Sequence, residues 1–235
     1  MAATMKRLLV STLFLLGAMQ TGAASPVAPT HVYLVIYTTC GGKTGHAGLA
    51  IDRYDILVSD CRACPGKVRY DTVKTGRLVY YDLWPVEVSY SFDSVFVDKA
   101  PRYFKLPSSS SEKPITVTSL LAKGIPQEKG YSCDGLIRIP GTPESDGRLE
   151  RFMDRLITRN RMFNAVYFNC ADFVKTGLEY LLNTDLPAEE NIADFQITTP
   201  NRLYQVVREL PGAEVIKDAG PSAQTPFLEG RIRKQ

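Results

Sequence analysis

The residue with the clearest chemical potential in this sequence is Cys170. It follows an aromatic-rich extended run, residues 163–169, and the apolar spacing after it predicts that it opens a helix. The positive end of the helix dipole favours a thiolate at that position, and the thiolate is the nucleophilic form of cysteine. The sequence therefore predicts a nucleophile at Cys170. The alternative is a buried cysteine with a purely structural role.

A histidine that could serve this thiol lies far upstream, on a predicted strand. His46 belongs to the run TGHAGLAI, in which Gly45 and Gly48 leave room for backbone or substrate. The other histidine, His31, opens the first predicted strand and is expected at the surface. A cysteine and a histidine distant in sequence are the minimum parts of a thiol hydrolase. The alternative for His46 is a hydrogen-bonded histidine of the core or the sheet edge.

A third polar group usually orients the imidazole of such a pair and fixes its tautomer. Asp82 is the candidate, because it lies in the apolar run LVYYDLWP, where a carboxylate needs a partner. Strand alternation also permits an outward-facing Asp82. Asp52 is the rival, but it lies too far along the strand of His46 to reach that ring.

Acyl transfer also needs hydrogen-bond donors for the developing oxyanion. The backbone N–H of Cys170 and the start of its helix can supply some of them. Asn169, Tyr37 and Tyr167 are candidates for a side-chain donor or a contact beside the site, and spacing does not separate them.

Five cysteines bear on both metal binding and redox state. Four of them, Cys40, Cys61, Cys64 and Cys133, can form two disulfides in three connectivities, which leaves Cys170 unpaired. Zinc is a competing use of Cys40, Cys61 and Cys64 together with His46. Disulfides are favoured over zinc in an exported chain, so we expect no metal and no cofactor.

The first 24 residues have the pattern of an export signal. Lys6 and Arg7 precede an apolar run that ends at Met19, and residues 22–24 are small. The run is short for a membrane span, and an uncleaved anchor is the alternative. We therefore expect an exported protein, periplasmic or secreted, without a stable membrane span.

Length and charge limit the remaining classes of function. The chain has 235 residues, with 28 basic and 25 acidic side chains, and removal of Lys6 and Arg7 leaves 28 minus 2, or 26, basic ones. Nearly balanced charge gives no reason to expect nucleic acid as a partner. Roughly 190 residues, 25–217, fit one domain, and the polar residues 218–235 are expected to form a disordered tail.

Strands precede helices along the chain, without regular βαβ alternation. This order predicts an α+β fold with a mainly antiparallel sheet packed on helices. The predicted strands are 31–39, 46–52 with a possible continuation over 54–59, 77–84, 95–97, 103–106 and 135–140. Residues 60–76 are interpreted as an irregular excursion.

Apolar stripes at helical spacing predict the helices. The expected segments are 116–123, for which a strand is the alternative, 149–157, 170–182 and 199–210. Ser145 or Asp146 is expected to cap the second, Asn183 to end the third, and Thr199 followed by Pro200 to start the fourth.

The strand-borne GHAGL, the later Asp82 and the helix-opening NCADFV resemble the circularly permuted papain-like hydrolases. That group includes permuted NlpC-type cell-wall peptidases, lecithin-retinol acyltransferase-like enzymes and exported bacterial amidases. As in that group, the histidine precedes the cysteine. Phe163 stands where the family often has tyrosine, and Asp82 is matched by position to a third residue that is often histidine or another polar group. The resemblance covers roughly residues 31–210.

The resemblance implies an exported cysteine hydrolase that cleaves amide bonds, with cell-wall peptides as the leading substrate class. Lipid acyl groups are the alternative, because the acyltransferase-like relatives share the order of residues. Two further alternatives are a non-catalytic binding domain on the same scaffold and an interaction protein in which every cysteine is structural. Oligomeric state is not predicted.

Overall fold

The structure, a computed structural model, describes residues 29–40, 43–60, 66, 68–87, 96–110, 112–122, 131–192, 194–226 and 229. The predicted export signal, residues 1–24, lies outside them. Within the described part of the chain, none of the helices has the length and hydropathy needed to cross a bilayer.

An antiparallel sheet of six described strands forms the centre of the molecule. Its strand order is β4-β3-β2-β1-β5-β8, and a separate two-stranded hairpin is formed by β6 and β7. The strands are β1 (Thr30–Tyr37), β2 (His46–Asp60), β3 (Val68–Pro85), β4 (Pro101–Leu106), β5 (Gly135–Gly141), β6 (Glu189–Ile192), β7 (Phe195–Thr198) and β8 (Glu214–Lys217).

Helices cover both faces of this sheet, so the predicted α+β class with an antiparallel sheet is confirmed. The helices are α1 (Val117–Ala122), α2 (Pro143–Arg159), α3 (Cys170–Leu182) and α4 (Pro200–Arg208). The larger core lies under α2, α3 and α4, whereas Leu120 of α1 packs in the core of the opposite face. Strand β1 is apolar on both faces because both are buried, as Leu34 and Val35 illustrate.

The helix boundaries follow local capping chemistry. Thr142 and Pro143 begin α2, with the Thr142 side chain accepting from the N–H of Ser145, so the predicted cap at Ser145 or Asp146 is wrong by one turn. A second threonine-proline pair, Thr199 and Pro200, begins α4 as predicted. Asn183, in the left-handed conformation, ends α3 as predicted.

Two segments differ from the sequence-based expectation. Residues 60–76 were expected to be irregular, but β2 and β3 continue past the body of the sheet as a paired hairpin, which we call the arm (residues 53–60 and 68–77). The predicted strand at 95–97 is absent from its described residues, Phe96 and Val97. Phe96 and Val97 lie instead in a turn that precedes β4.

The predicted disorder from residue 218 onward is wrong as far as Thr225. Gly220–Gln224 forms a short 3₁₀ helix in which Ala223 is buried. The buried Asn201 amide holds this segment by donating to the carbonyls of Ser222 and Thr225 at 3.1 and 3.0 Å. A polar composition did not predict this order, because the anchoring side chain comes from α4.

Candidate active site

Two adjacent strands bring the predicted histidine and aspartate together. Leu49 of β2 pairs with Tyr81 of β3. The same antiparallel register, continued by three residues, would bring His46 opposite Trp84. Because side chains alternate along a strand, Asp82 and Trp84 point to one face of β3. Asp82 therefore lies diagonally across the strand pair from His46.

The contact between His46 and Asp82 is short and shielded from solvent. His46 Nε2 lies 2.7 Å from Asp82 Oδ1, and the two side chains are 3% and 0% exposed. A buried carboxylate is costly unless it is paired, and the imidazole supplies that partner. The pairing accounts for an aspartate in an otherwise apolar strand.

Trp84 completes this arrangement, and the sequence analysis did not predict its contacts with His46 and Asp82. Its indole stacks on the His46 ring with centroids 4.2 Å apart, and its Nε1–H donates to Asp82 Oδ2 at 3.0 Å. Each oxygen of Asp82 thus has its own partner. The available signal was the spacing of two residues between Asp82 and Trp84, which puts both on one face of the strand.

Cys170 is the first residue of α3 and a half-buried free thiol. Its side chain lies near enough to the His46 ring to raise the pKa of that ring through its charge and a hydrogen bond. Because Asp82 occupies Nε2 of the ring, Nδ1 is the nitrogen left for the thiol. The structure therefore joins Cys170, His46 and Asp82 in one chain of contacts.

A close approach between α3 and the sheet positions the cysteine. A Cβ on Gly177 would lie 2.6 Å from Met153 Sδ and 3.2 Å from Leu49 Cδ2. Glycine at this position therefore lets α3 pack directly against β2, the strand that carries His46.

The charge state of His46 follows from these neighbours. Burial of the ring opposes protonation, but the Asp82 carboxylate and Cys170 outweigh it and raise the pKa of His46 well above its ordinary value of 6.5. Asp82 and Cys170 thus favour the protonated imidazole. A protonated ring between two groups that can carry negative charge is suited to an ion pair with a thiolate.

The side chain of Asn169 is committed to the cap of α3. Its Oδ1 accepts from the backbone N–H groups of Ala171 and Asp172, and its Nδ2 donates to the carbonyls of Ala165 and Thr198. No donor of this amide is left for a substrate. Asn169 therefore positions Cys170.

The backbone N–H of Cys170 remains available at the start of the helix. Asn169 Oδ1 takes the next two N–H groups of α3, and Phe173 N–H donates to the Asn169 carbonyl. As the first N–H of α3, that of Cys170 has no acceptor within the helix. This N–H can therefore act as an oxyanion donor.

The two candidate tyrosines occupy different positions. The Tyr37 ring lies 6.3 Å from that of His46, and its hydroxyl donates to the Tyr131 carbonyl at 3.4 Å. Tyr167 is largely exposed and directs its ring edge toward Phe195, with centroids 6.3 Å apart. Tyr37 is therefore next to the histidine, whereas Tyr167 belongs to the surface beside the start of α3.

Asp52, the rival of Asp82, serves a different cluster. Its Oδ2 accepts from the backbone N–H of His31 at 2.8 Å and lies 2.6 Å from Lys74 Nζ. His31 was expected at the surface, but its side chain is only 19% exposed because it packs beside Asp52. Both residues lie at the end of the β1–β2 pair remote from His46.

Cys40, Cys133 and Cys170, the described cysteines, are all free thiols. The expected disulfides of Cys40 and Cys133 are therefore absent, whereas Cys61 and Cys64 lie outside the described residues. Burial raises the pKa of Cys133 to about 11, which disfavours the thiolate needed for exchange. In the described ranges, no group of three or more His, Cys, Asp or Glu side chains could hold a metal ion.

Neither the protein-family models nor the curated proteins and solved structures compared with this chain include a match. Functional inference therefore depends on the residues and geometry of this chain.

Proposed function

We propose that this protein is a cysteine hydrolase that cleaves amide bonds through an acyl-thioester on Cys170. The observation that carries the proposal is the chain of contacts from Cys170 through His46 to Asp82. A nucleophile in contact with a base, and a base in contact with an orienting group, are the parts that nucleophilic acyl transfer requires.

In the first half-reaction, His46 takes the thiol proton of Cys170 or already holds it in an ion pair. The sulfur attacks the carbonyl carbon, a C–S bond forms, and the oxyanion accepts from the Cys170 N–H. His46 then gives its proton to the leaving nitrogen as the C–N bond breaks. Asp82 holds the ring throughout and compensates its positive charge.

In the second half-reaction, water replaces the amine. The oxygen of the water attacks the thioester carbonyl while His46 accepts a proton from that water. The C–S bond breaks, the carboxylic acid leaves, and the proton returns to the sulfur or stays on His46 to restore the ion pair. The reaction consumes one water molecule and needs no external oxidant or reductant.

Cell-wall peptides are the leading substrate class in this proposal. That choice is supported by the resemblance of the GHAGL and NCADFV runs to permuted NlpC-type peptidases and by the predicted export signal. Both of these observations come from the sequence. If the export signal acts as predicted, the protein cleaves its substrate outside the cytoplasm.

An acyl ester is a second candidate, favoured by an aromatic cluster near the start of α3 that is exposed at Tyr167 and Phe96. Tyr167, Phe96 and Phe195 form an aromatic cluster, with Phe96 and Phe195 centroids 5.2 Å apart. Exposed apolar clusters commonly mark binding sites. An acyl chain bound to this cluster would lie beside Tyr167, three residues before Cys170 in the sequence. The same thioester chemistry would then release a fatty acid.

Alkylation of the intact protein by iodoacetamide, quantified per cysteine by mass spectrometry, tests the proposed nucleophile. Cys40 is a matched internal control, because it is also a half-buried free thiol. We expect Cys170 to react faster than Cys40 near neutral pH, and His46→Ala to slow Cys170 without slowing Cys40. An inert Cys170, or one indifferent to His46, would contradict the hydrolase and leave a binding domain.

Turnover separates the two substrate classes. Cell-wall peptide fragments and phospholipid vesicles are each incubated with the wild type and with Cys170→Ala. New amino groups from the peptides support the amidase, whereas fatty acid release supports the esterase. Activity retained in Cys170→Ala would contradict both.

A further inference from the structure

The arm exposes an apolar surface far from the proposed active site. Ile56, Val58, Val68 and Tyr70 are each at least half exposed. The register pairs Val58 with Tyr70, and alternation places Ile56 and Val68 on the same face. Eight residues of β2 extend for about 26 Å at the usual rise. A two-stranded hairpin of this kind is marginally stable alone in water, which predicts that something covers it.

Among the described residues, no strand pairs with the outer edge of the arm. Strand β4 pairs with β3 only over Tyr80–Pro85, so the described residues of the arm, Val68–Arg77, have β2 as their only neighbouring strand. An exposed edge with apolar side chains is a template for another strand. The geometry favours an extended partner over a globular surface.

The sequence of this edge is complementary to itself. When Val68–Thr72 pairs antiparallel with a second copy about a two-fold axis at Tyr70, Arg69 of each copy lies opposite Asp71 of the other. Tyr70 then lies opposite Tyr70, and Val68 opposite Thr72. Opposite charges and aromatic pairs across strands are both stabilising. A slip of one position along each strand, which places Asp71 opposite Asp71, would be repulsive.

From this complementarity we propose that two copies of the chain associate by edge-to-edge pairing of their arms. The result is a four-stranded sheet of order β2-β3-β3-β2 with two-fold symmetry, the commonest symmetry of homodimers. Within one chain, Arg69 Nε already donates to Asp71 Oδ1 at 2.8 Å. In the dimer the four charged side chains form one alternating network. This proposal is independent of the chemistry at Cys170.

Charge exchange tests the pairing by analytical ultracentrifugation. We expect twice the mass of one chain for the wild type, with a fraction of dimer that rises with concentration. Arg69→Asp and Asp71→Arg should each give one chain, because like charges then face each other twice. An equimolar mixture of these two variants should recover the doubled mass, since each substituted side chain of one variant then faces its opposite charge on the other.

This recovery distinguishes contact between chains from an effect inside one chain, because each variant alone has lost the internal pair. Asp55→Arg is the matched control: Asp55 is on β2 of the arm, opposite Val73, and its reversal should leave the dimer intact. Circular dichroism checks that every variant is folded. A monomeric wild type, a dimer that survives both single exchanges, or a mixture that stays monomeric would each overturn the proposal.

Discussion

The indole of Trp84 lies nearly parallel over the imidazole of His46, with an angle of 23° between the rings. Its N–H also donates to the carboxylate that contacts the same imidazole. Trp84 therefore restrains both members of the His46–Asp82 pair at once. It covers one face of the ring and fixes the carboxylate rotamer, which leaves the Nδ1 side for Cys170.

Replacement of Trp84 separates these two effects. Trp84→Phe keeps an aromatic face over His46 but removes the donor to Asp82, a hydrogen bond to a charged group of about 1.5–3 kcal/mol. We expect kcat/KM to fall by about tenfold, mainly in kcat. Trp84→Ala should lose more, because the stacking goes as well. A Trp84→Phe variant with wild-type kinetics and pH profile would contradict the positioning role.

The pH profile reports on the carboxylate. Because burial opposes and Asp82 favours the charged ring, Asp82→Asn should lower the pKa of His46. The high-pH limb of kcat/KM should then move to lower pH, and the maximum should fall by at least about tenfold. An unmoved limb would mean that another group titrates there.

The raised pKa of His46 in the wild type also stabilises the fold. This contribution is fully present below pH 6.5, and it is lost as pH rises through the raised pKa.

Gly48 is predicted to be sterically required. A Cβ at this position would lie 1.8 Å from Tyr80 Oη and 2.3 Å from Tyr80 Cζ. Both residues are in the sheet beside Asp82, so we expect Gly48→Ala to lower the free energy of unfolding by about 1–3 kcal/mol or more in urea denaturation. Gly147→Ala is the control: its Cβ meets Tyr54 Oη at 3.4 Å, and loss of a helical glycine should be neutral or stabilising. Equal stability of the Gly48→Ala variant and the wild type would contradict the packing.

Asp146, which lies far from the proposed active site, should make the free energy of unfolding depend on pH. Burial raises its pKa to about 6 from 3.8, while the Thr30 and Ser145 hydroxyls oppose the shift, and Asp52 and Lys74 act in opposite directions. The folded state thus holds a proton that the unfolded state releases, so the free energy of unfolding falls as pH rises from about 4 to about 6.

Urea denaturation of the wild type and Asp146→Asn at pH 4 and pH 7 measures this effect. Asparagine does not titrate, so the stability of the variant relative to the wild type should increase between the two pH values. Any hydrogen bonds that the variant loses are lost at both pH values. The change in relative stability between pH 4 and pH 7 therefore reports only the titration of Asp146. A difference that stays constant would show that Asp146 does not titrate in this range.

The sequence by itself determined the local features of this protein. Strand alternation and strand-before-helix order predicted the antiparallel α+β architecture, and the Thr199-Pro200 pair predicted the start of α4. The position of Cys170 at the first turn of α3 also followed, because capping and helical periodicity depend on residues a few positions apart.

Only the tertiary structure decided which distant groups meet. Asp82 and Asp52 were both acidic residues on predicted strands, and in the folded sheet Asp82 contacts His46, whereas Asp52 contacts His31 and Lys74. Trp84 became part of the site through the register between β2 and β3, and the arm formed through continued pairing beyond the bulge between Asp52 and Tyr54. Strand register depends on the sum of many contacts between segments remote in sequence, so periodicity within one segment cannot supply it.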